Sequence, residues 1–273
     1  MNIIIHSGSF HSDEVTACAL LEVFMPDTYT ITRIGHQEPI PSNADYVIDI
    51  GREYDGEKLF DHHQHIVIPE EPDALENMSS AGLIWKYLGL SECYPKISNF
   101  IRLVDQHDVG IRKASSFEYP SIIASYNSDD IYDDRLQHSR FYEALRVAKM
   151  VITSMKKYQD DIDEVEAYLI SRYDSLSEWE QASGVLISDR YLRGWDSFLN
   201  GELTPNLRCI IWPKDDGSTE WQGQVLPKKS GTYGLHGKGF EQSDKMIFVH
   251  ANEFFCVAPN RDTMIDYLTD VPV

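Results

Sequence analysis

The first 26 residues read MNIIIHSGSFHSDEVTACALLEVFMP. The apolar run at residues 3–5 is followed by a turn at residues 7–9 and then by apolar residues at helical spacing up to Pro26. This order predicts a strand, a loop and a helix. Residues 28–34 and 46–50 and the short stretch 59–60 are also typical of strands. Strands that alternate with helices predict an α/β fold with a mostly parallel sheet.

The remainder of the chain predicts helices first and short strands later. Residues 79–88 favour a helix that Ser79 caps and Gly89 ends, and Pro95 begins another. Residues 135–173 carry an apolar stripe with a period near 3.6, far longer than an average helix. From residue 181, short apolar runs predict strands at 185–187, 207–212, 221–225, 246–250 and 254–258, which alternate with Gly, Pro and Asp turns. We therefore predict a parallel-sheet domain over 1–134, a helical connector over 135–180 and a smaller α+β domain over 181–273.

Charge and composition restrict the classes of function. The 273 residues include 24 Lys/Arg and 44 Asp/Glu, a net charge of −20, which disfavours unspecific binding of long nucleic acid. The charge is −17 over residues 1–180 and −3 over residues 181–273. No apolar run approaches the ~20 residues that cross a bilayer, and the chain does not open on a signal sequence. We expect a cytoplasmic protein without a membrane partner. The four cysteines form no C-x-x-C pair, which excludes a zinc ribbon.

Histidines and aspartates stand where the predicted strands end. His6 follows the first strand, and His11 and Asp13 open the next helix. Asp49 lies at the end of the strand over residues 46–50, and residues 61–65 (DHHQH) follow the short strand at 59–60. Because the carboxyl ends of parallel strands meet at one edge of a sheet, we expect these side chains to converge there.

Two further aspartates extend the apolar face of the helix that begins at Pro95. Asp105 and Asp108 lie four residues after Ile101 and Val104. A carboxylate on a buried face needs a partner, and a metal ion is one. Imidazoles and carboxylates without thiolates suit Mn²⁺, Fe or Zn²⁺ better than Ca²⁺. Six or more ligands exceed one tetrahedral site, whereas two ions about 3.5–4 Å apart would use them in displacement at phosphorus.

Each candidate also has a structural interpretation. Asp13 can simply stabilise a helix N-terminus, and Asp49 can end a turn. Asp105 and Asp108 can pair with arginines of the same region. Four other histidines are interpreted as structural or surface residues, namely His36, His107, His138 and His236.

Four blocks occur in a fixed order: HSGSFHSDE at 6–14, DIGREYD at 49–55, DHHQ at 61–64 and SSAGLI at 79–84. Together they resemble the melanocyte-proliferating-gene family of exonucleases, which is similar to a branch of the DHH phosphoesterases. The resemblance is strongest over residues 1–110 and implies that the predicted parallel-sheet domain over 1–134 is of the DHH type. It implies a dinuclear metal centre, with Mn²⁺ favoured and Mg²⁺, Fe or Zn²⁺ as alternatives, and 3′-to-5′ exonuclease action on RNA.

The resemblance also implies roles for individual residues. One metal would have His6, His11 and Asp49 around it. The other would have Asp13, Asp49, His62 and Asp108 around it. Asp105 is a further candidate ligand. Asp49 would thus bridge the two ions as a catalytic residue, and His63 would face the substrate phosphate and stabilise the charge that develops there.

The substrate side departs from the family pattern. His65 replaces the usual arginine after DHHQ, and residues 252–257 replace a glycine-rich stretch after His250. Residues 227–239 combine four glycines with three lysines, which is compatible with a phosphate-binding loop and equally with a flexible surface loop. The expected substrate contacts are His63, His65, Lys228, Lys229, Lys238 and His250.

The predicted substrate is a short RNA, an oligonucleotide or a nucleotide. The chain is accordingly interpreted as a metal-dependent phosphodiesterase. Two alternatives remain at this point: hydrolysis of pyrophosphate or nucleotides at the same site, or a binding module that keeps its metals and has lost catalysis.

Overall fold

The N-terminal part of the chain forms a parallel sheet with helices around it. The computed structural model describes residues 1–63, 77–130, 132–215, 217–232 and 234–270. Its first elements are β1 (Asn2–His6), α1 (Ser12–Phe24), β2 (Thr30–Ile34), β3 (Tyr46–Ile48), β4 (Leu59–Phe60), α2 (Ser80–Leu88), α3 (Pro95–Asp108), α4 (Tyr119–Ala124) and α5 (Asp134–Asp174). The strand order is β2-β1-β3-β4, and each neighbouring pair is parallel. The predicted α/β class with a parallel sheet and a long helix is confirmed.

The alternation of side chains along β1 explains why this strand is central. Ile3 and Ile5 point into a large apolar cluster with residues of α1, α2, α3 and α5. Ile4 points to the other face, where it packs with Ile34 and Val47. A strand buried on both faces needs apolar residues at every position, as the run at residues 3–5 provides.

The chain divides into two compact units, Met1–Gln159 and Asp160–Val273, and the division falls within α5. The domain boundaries at residues 134 and 180 stay predictions. No helix in the described residues is long and apolar enough to cross a membrane.

The second unit contains a mixed sheet. Its elements are α6 (Glu178–Ser183), β5 (Val185–Ile187), a 3₁₀ turn (Trp195–Ser197), β6 (Cys209–Pro213), β7 (Trp221–Val225), β8 (Phe248–Val249), β9 (Phe255–Ala258) and α7 (Arg261–Asp270). The sheet order is β5-β6-β7-β9-β8. Strands β5 and β6 are parallel, and the other pairs are antiparallel.

Three strands of this unit are shorter than the sequence predicts. Strand β9 begins at Phe255 rather than at 254. Strand β6 begins at Cys209 rather than at 207, because the Leu207 N–H donates to the carbonyl of Thr204 in a turn. Strand β8 covers only part of residues 246–250, because the Met246 N–H donates to the Ser243 carbonyl.

Candidate metal centre

Three strand ends of the parallel sheet bring acids and imidazoles together. His6 is the last residue of β1, Asp49 follows β3, and residues 61–62 follow β4. Strands β1, β3 and β4 are neighbours and parallel, so their carboxyl ends lie side by side.

Asp49 occupies the middle of this edge. Its backbone is left-handed with φ 56°, and therefore the strand predicted to reach residue 50 ends at Ile48. The Asp49 side chain is buried, with Oδ2 3.3 Å from His6 Nε2 and Oδ1 3.3 Å from His62 Nε2. Asp49 thus directs one carboxylate oxygen towards each of two imidazoles.

The N-terminus of α1 supplies two buried acids. Asp13 is fully buried and accepts a hydrogen bond from the Ser80 N–H at 3.2 Å through Oδ2. Glu14 is also fully buried, and its carboxylate accepts the backbone N–H of His11 at 2.9 Å. Glu14 Oε1 also lies 3.0 Å from His6 Nε2.

His62 contacts acids from three elements. Its Nε2 lies 3.0 Å from Asp108 Oδ2 and 3.7 Å from Asp13 Oδ2, besides the contact with Asp49. Asp108 is the last residue of α3. This set of neighbours brings the distant helix α3 to the carboxyl edge of the sheet.

The described residues contain three groups whose donor atoms lie within 4.8 Å of one another, as a metal ion requires. The groups are His6–His11–Glu14–Asp49, Asp49–His62–His63 and His11–Asp13–Asp108. Asp49 and His11 each belong to two groups. Every ligand that the family resemblance implies, His6, His11, Asp13, Asp49, His62 and Asp108, occurs in at least one of them.

The pKa shifts reveal a surplus of negative charge. Burial alone lowers the pKa of His6, but contacts with Asp49 and Glu14 raise it to about 11. Burial likewise lowers the pKa of His62, while Asp108 and Asp49 raise it to about 10. Burial and the charges of Asp49, Asp108 and Glu14 raise the pKa of Asp13. Burial alone raises the pKa of Asp49, but His6 and His62 lower it well below its usual range. The carboxylates therefore hold positive charge at the imidazoles.

Two buried oxygens test whether a cation fits. Among the described residues, Asp13 Oδ1 and Asp49 Oδ2 accept no hydrogen bond. The contact from His6 to Asp49 Oδ2 is an ion pair at 3.3 Å without hydrogen-bond alignment. Buried carboxylate oxygens without donors are costly, and a divalent cation removes that cost. Carboxylate and imidazole donors without thiolate fit a hard or borderline divalent metal.

Asp105 has a different set of partners. Its Oδ1 accepts hydrogen bonds from the Ser79 N–H at 3.0 Å, the Ser79 hydroxyl at 2.7 Å and the Gly82 N–H at 3.1 Å. Ser79 precedes α2 as predicted, but its hydroxyl makes no capping bond to the helix because it donates to Asp105 instead. Burial raises the pKa of Asp105 to about 6, although these donors lower it. The described arrangement holds Asp105 at the start of α2, outside the three donor groups.

His63 lies at the open side of the cluster. Its side chain is 49% exposed, and its Nδ1 lies 2.9 Å from Asp61 Oδ1. The hydrogen bond with Asp61 raises the pKa of His63. His63 lines a cavity of about 520 Å³ together with Asp49, Arg52 and His36. When protonated, His63 can bind an anionic group that is also bound by a metal ion at the neighbouring carboxylates.

Three residues at this edge are not among the predicted site residues. Glu14 belongs to a donor group, and His36 stacks on His6 with ring centroids 5.1 Å apart and an interplanar angle of 15°. Arg52 lines the cavity with a left-handed backbone, φ 58°. The position of His36 just beyond β2 was a usable signal, since His6 follows β1 in the same way. For Arg52 the sequence offers no signal.

The predicted substrate contacts in the second unit lie next to other residues of that unit. Lys229 Nζ is 3.8 Å from Glu202 Oε1, and Lys238 pairs with Glu241. Lys228 is exposed. His250 accepts the Asn252 N–H at 3.0 Å through Nδ1. His65 lies outside the described residues. Substrate contact by these residues stays a prediction.

The topology and the cluster define an α/β protein with a candidate metal centre at the carboxyl edge of a parallel sheet. The sequence model of MYG1_exonuc, described as an uncharacterised protein family (UPF0160), matches residues 2–93. The MYG1 protein of Saccharomyces cerevisiae is 33% identical, over 97% of this chain and 93% of its own. The chain therefore belongs to the melanocyte-proliferating-gene (MYG1) family.

Other similarities extend over different shares of the chain. The MYG1 exonuclease of Mus musculus is 27% identical, over 91% of this chain and 79% of its own. Matches to chlamydial MYG1 proteins span about half of those proteins or less, 53% and 43% in two cases. A crystal structure of exonuclease RecJ bound to manganese aligns over 99% of this chain with 14% identity and a TM-score of 0.31. Because this TM-score is low, the fold is assigned from the sheet topology and not from this similarity.

Proposed function

We propose that this chain is a metal-dependent phosphodiesterase that removes nucleotides from the 3′ end of short single-stranded RNA. The observation that carries the proposal is the pair of buried carboxylate oxygens without donors, Asp13 Oδ1 and Asp49 Oδ2, in a cluster flanked by imidazoles. A family relative named an exonuclease supports the choice of nucleic acid as the substrate.

The donor groups support two divalent ions, with Mn²⁺ favoured by the mixture of imidazole and carboxylate ligands. His6, His11 and Asp49 would hold one ion. Asp13, Asp49, His62 and Asp108 would hold the other. When bound, the ions would supply Lewis acidity and lower the pKa of a water molecule.

The protein's own residues have distinct tasks in this proposal. Asp49 is anchored at both its backbone and its side chain, because its N–H donates to the Phe60 carbonyl at 3.1 Å and its Oδ1 accepts the Ser80 hydroxyl at 3.3 Å. It therefore keeps a fixed position between the two ligand sets. His63 is oriented by the Asp61 carboxylate at Nδ1, which leaves Nε2 to donate a proton to a phosphate oxygen. A fixed donor of this kind stabilises the charge that grows on the phosphate.

The charge distribution supports a short substrate. Residues 1–180, which contain the candidate ligands, carry −17. Each additional phosphate of a long strand would be repelled by this surface at low ionic strength. A substrate of only a few nucleotides carries fewer phosphates, and this surface therefore repels it less.

The test begins with protein purified without chelator. Mass spectrometry of its metals should find two equivalents of a transition metal per chain, and short 5′-labelled RNA should shorten stepwise from the 3′ end with Mn²⁺. Asp49→Asn should lose both metal and hydrolysis. Asp45→Asn is the matched control, since Asp45 precedes β3 at the opposite edge and accepts the Asn2 N–H at 2.6 Å.

The outcomes separate the proposed function from its alternatives. Release of inorganic phosphate from pyrophosphate, with RNA left intact, would replace it by pyrophosphate hydrolysis. Two bound metals without hydrolysis of RNA, pyrophosphate or nucleotides would make the chain a binding module. Full activity of Asp49→Asn with both metals retained would contradict the dinuclear site.

A further inference from the structure

A second cavity lies entirely within the second unit. Its volume is about 580 Å³, within the range of roughly 300–1,000 Å³ typical of small-molecule sites. Aromatic walls come from Tyr191, Trp195 and Phe254. Part of the rim comes from Gly231 and Gly234, which belong to the lysine- and glycine-rich stretch at residues 227–239.

Three polar side chains of this cavity have no hydrogen-bond partner within the described part of the chain. Asp196, Gln224 and Asn252 line it. Within the described part of the chain, no hydrogen bond or ion pair involves the side chain of any of these three residues. A carboxylate and two amides together supply both acceptors and donors. Another polar side chain among the described lining residues is Thr232, whose hydroxyl donates to the Lys229 carbonyl at 2.7 Å.

The charge of the cavity argues against a phosphate. Asp196 is the charged side chain among its described lining residues, which include no lysine, arginine or histidine. The lysines of the neighbouring stretch, Lys228, Lys229 and Lys238, are not among the described residues that line it. A free phosphate or a nucleotide phosphate would meet a negative charge without a counter-charge.

We infer that this cavity binds the base of a nucleoside, with the ring against the aromatic walls and its N–H edge on Asp196. Nucleobases are flat, uncharged and carry hydrogen-bonding edges, which matches stacking surfaces combined with amides and a carboxylate. A carboxylate accepts two hydrogen bonds side by side, and guanine presents two neighbouring donors, N1–H and N2–H. The preferred ligand is therefore guanosine.

The inference rests on the proposed function in that an enzyme acting on RNA meets nucleosides within its substrate. In this inference the second unit recognises the base of the nucleoside. That recognition requires neither a metal ion nor a phosphate. The binding of a nucleoside without phosphate therefore isolates this site from the metal centre.

The test is a titration of the full chain with guanosine, adenosine, cytidine and uridine in the presence of EDTA, monitored by saturation-transfer difference NMR. Guanosine should bind saturably and more tightly than the other three. Asp196→Asn should weaken guanosine at least about tenfold, since a charged hydrogen bond is lost, and should remove the preference. Phe254→Leu should weaken all four nucleosides about tenfold through the loss of stacking while it keeps an apolar side chain.

Two control variants keep the outcomes distinct. Asp244→Asn, an exposed site outside the cavity, should bind guanosine as the wild type does. Asp49→Asn should also bind it normally, since the metal centre belongs to the other unit. The absence of saturable binding, or binding that neither Asp196→Asn nor Phe254→Leu changes in a folded protein, overturns the inference. Binding of guanosine by a chain that hydrolyses no RNA would leave the inference standing and remove the proposed function.

Discussion

The carboxylate of Asp105 fills the space beside Gly82, so that a Cβ added at Gly82 would lie 2.6 Å from Asp105 Oδ2. The same carboxylate accepts the Gly82 N–H and two donors of Ser79. The next residue, Ser80, donates its N–H to Asp13 and its hydroxyl to Asp49. The first turn of α2 thus connects Asp105 to two candidate ligands.

Gly82→Ala should displace Asp105 and destabilise the first unit. Two oxygens of a buried carboxylate would lie within 2.7 Å of the new methyl group, so that the Asp105 side chain or α2 must shift. We expect a loss of about 1–3 kcal/mol in the free energy of unfolding, measured in urea. Bound metal should fall as well, because Ser80 moves with α2. Gly35→Ala is the control, since its Cβ meets only the flexible side chain of Glu38. Equal stability of the two variants would contradict the close packing.

His63→Ala should keep the metals and lose rate, whereas His62→Ala should lose metal. His63 is half exposed and anchored by Asp61, while His62 is nearly buried among three carboxylates. Loss of a group that stabilises charge only in the transition state lowers kcat and leaves metal binding largely unchanged. Metal content and single-turnover rates separate the two roles. If His63→Ala lost metal to the same extent as His62→Ala, the two roles would be reversed.

Glu14→Gln should weaken metal binding without unfolding the protein. Glutamine keeps an acceptor for the His11 N–H, but it removes the charge 3.0 Å from His6 Nε2. Changes beside metal ligands typically cost about 10–100-fold in affinity. Titration with Mn²⁺ measures the shift, and the exposed Glu92→Gln serves as the control. An unchanged Mn²⁺ affinity would exclude Glu14 from the metal centre.

Glu180→Gln should destabilise the second unit and remove part of its dependence on pH. The buried Glu180 accepts hydrogen bonds from Arg172, Ile187 and Ser177. Burial alone raises the pKa of Glu180, but these donors outweigh burial and lower it. Its contribution is therefore present above the unfolded pKa of about 4.3 and is lost as pH falls through the lower folded pKa.

The measurement is the free energy of unfolding at several pH values. At pH 7 the variant should be less stable by about 1–3 kcal/mol, since the remaining donors face an amide. The difference from the wild type should shrink below pH 4. A difference that stays constant down to pH 2.5 would show that ionisation of Glu180 contributes nothing.

The location of the candidate site could be predicted from the sequence. The spacing of apolar residues, and the position of polar residues just after them, can be recognised in short stretches of the chain. Apolar runs predict strands, and polar residues just after them predict one edge of a parallel sheet. His6, Asp49 and His62 were found in this way. The position of Asp108 followed from helical spacing along the face of Ile101 and Val104.

The remaining features depend on tertiary contacts. Periodicity placed Asp105 on a buried face, but the sequence does not reveal that Ser79 and Gly82, more than twenty residues earlier, supply three donors to it. Glu14 follows the capping position of α1 and is typical of an ordinary helix start. Only the folded structure shows that the Glu14 carboxylate lies next to the His6 ring. The left-handed backbone of Asp49 has no signature in the sequence D-I-G.

The positive φ of Asp49 and of Arg52 affects how the protein would respond to selection for heat tolerance. Glycine relieves a left-handed backbone, but at position 49 it would also remove the carboxylate that pairs with His6 and His62. A screen that rewards melting temperature alone would therefore enrich Arg52→Gly and reject Asp49→Gly. Survivors would keep the carboxylate of Asp49, a candidate metal ligand. Selection for heat tolerance would thus leave this residue of the candidate metal centre unchanged.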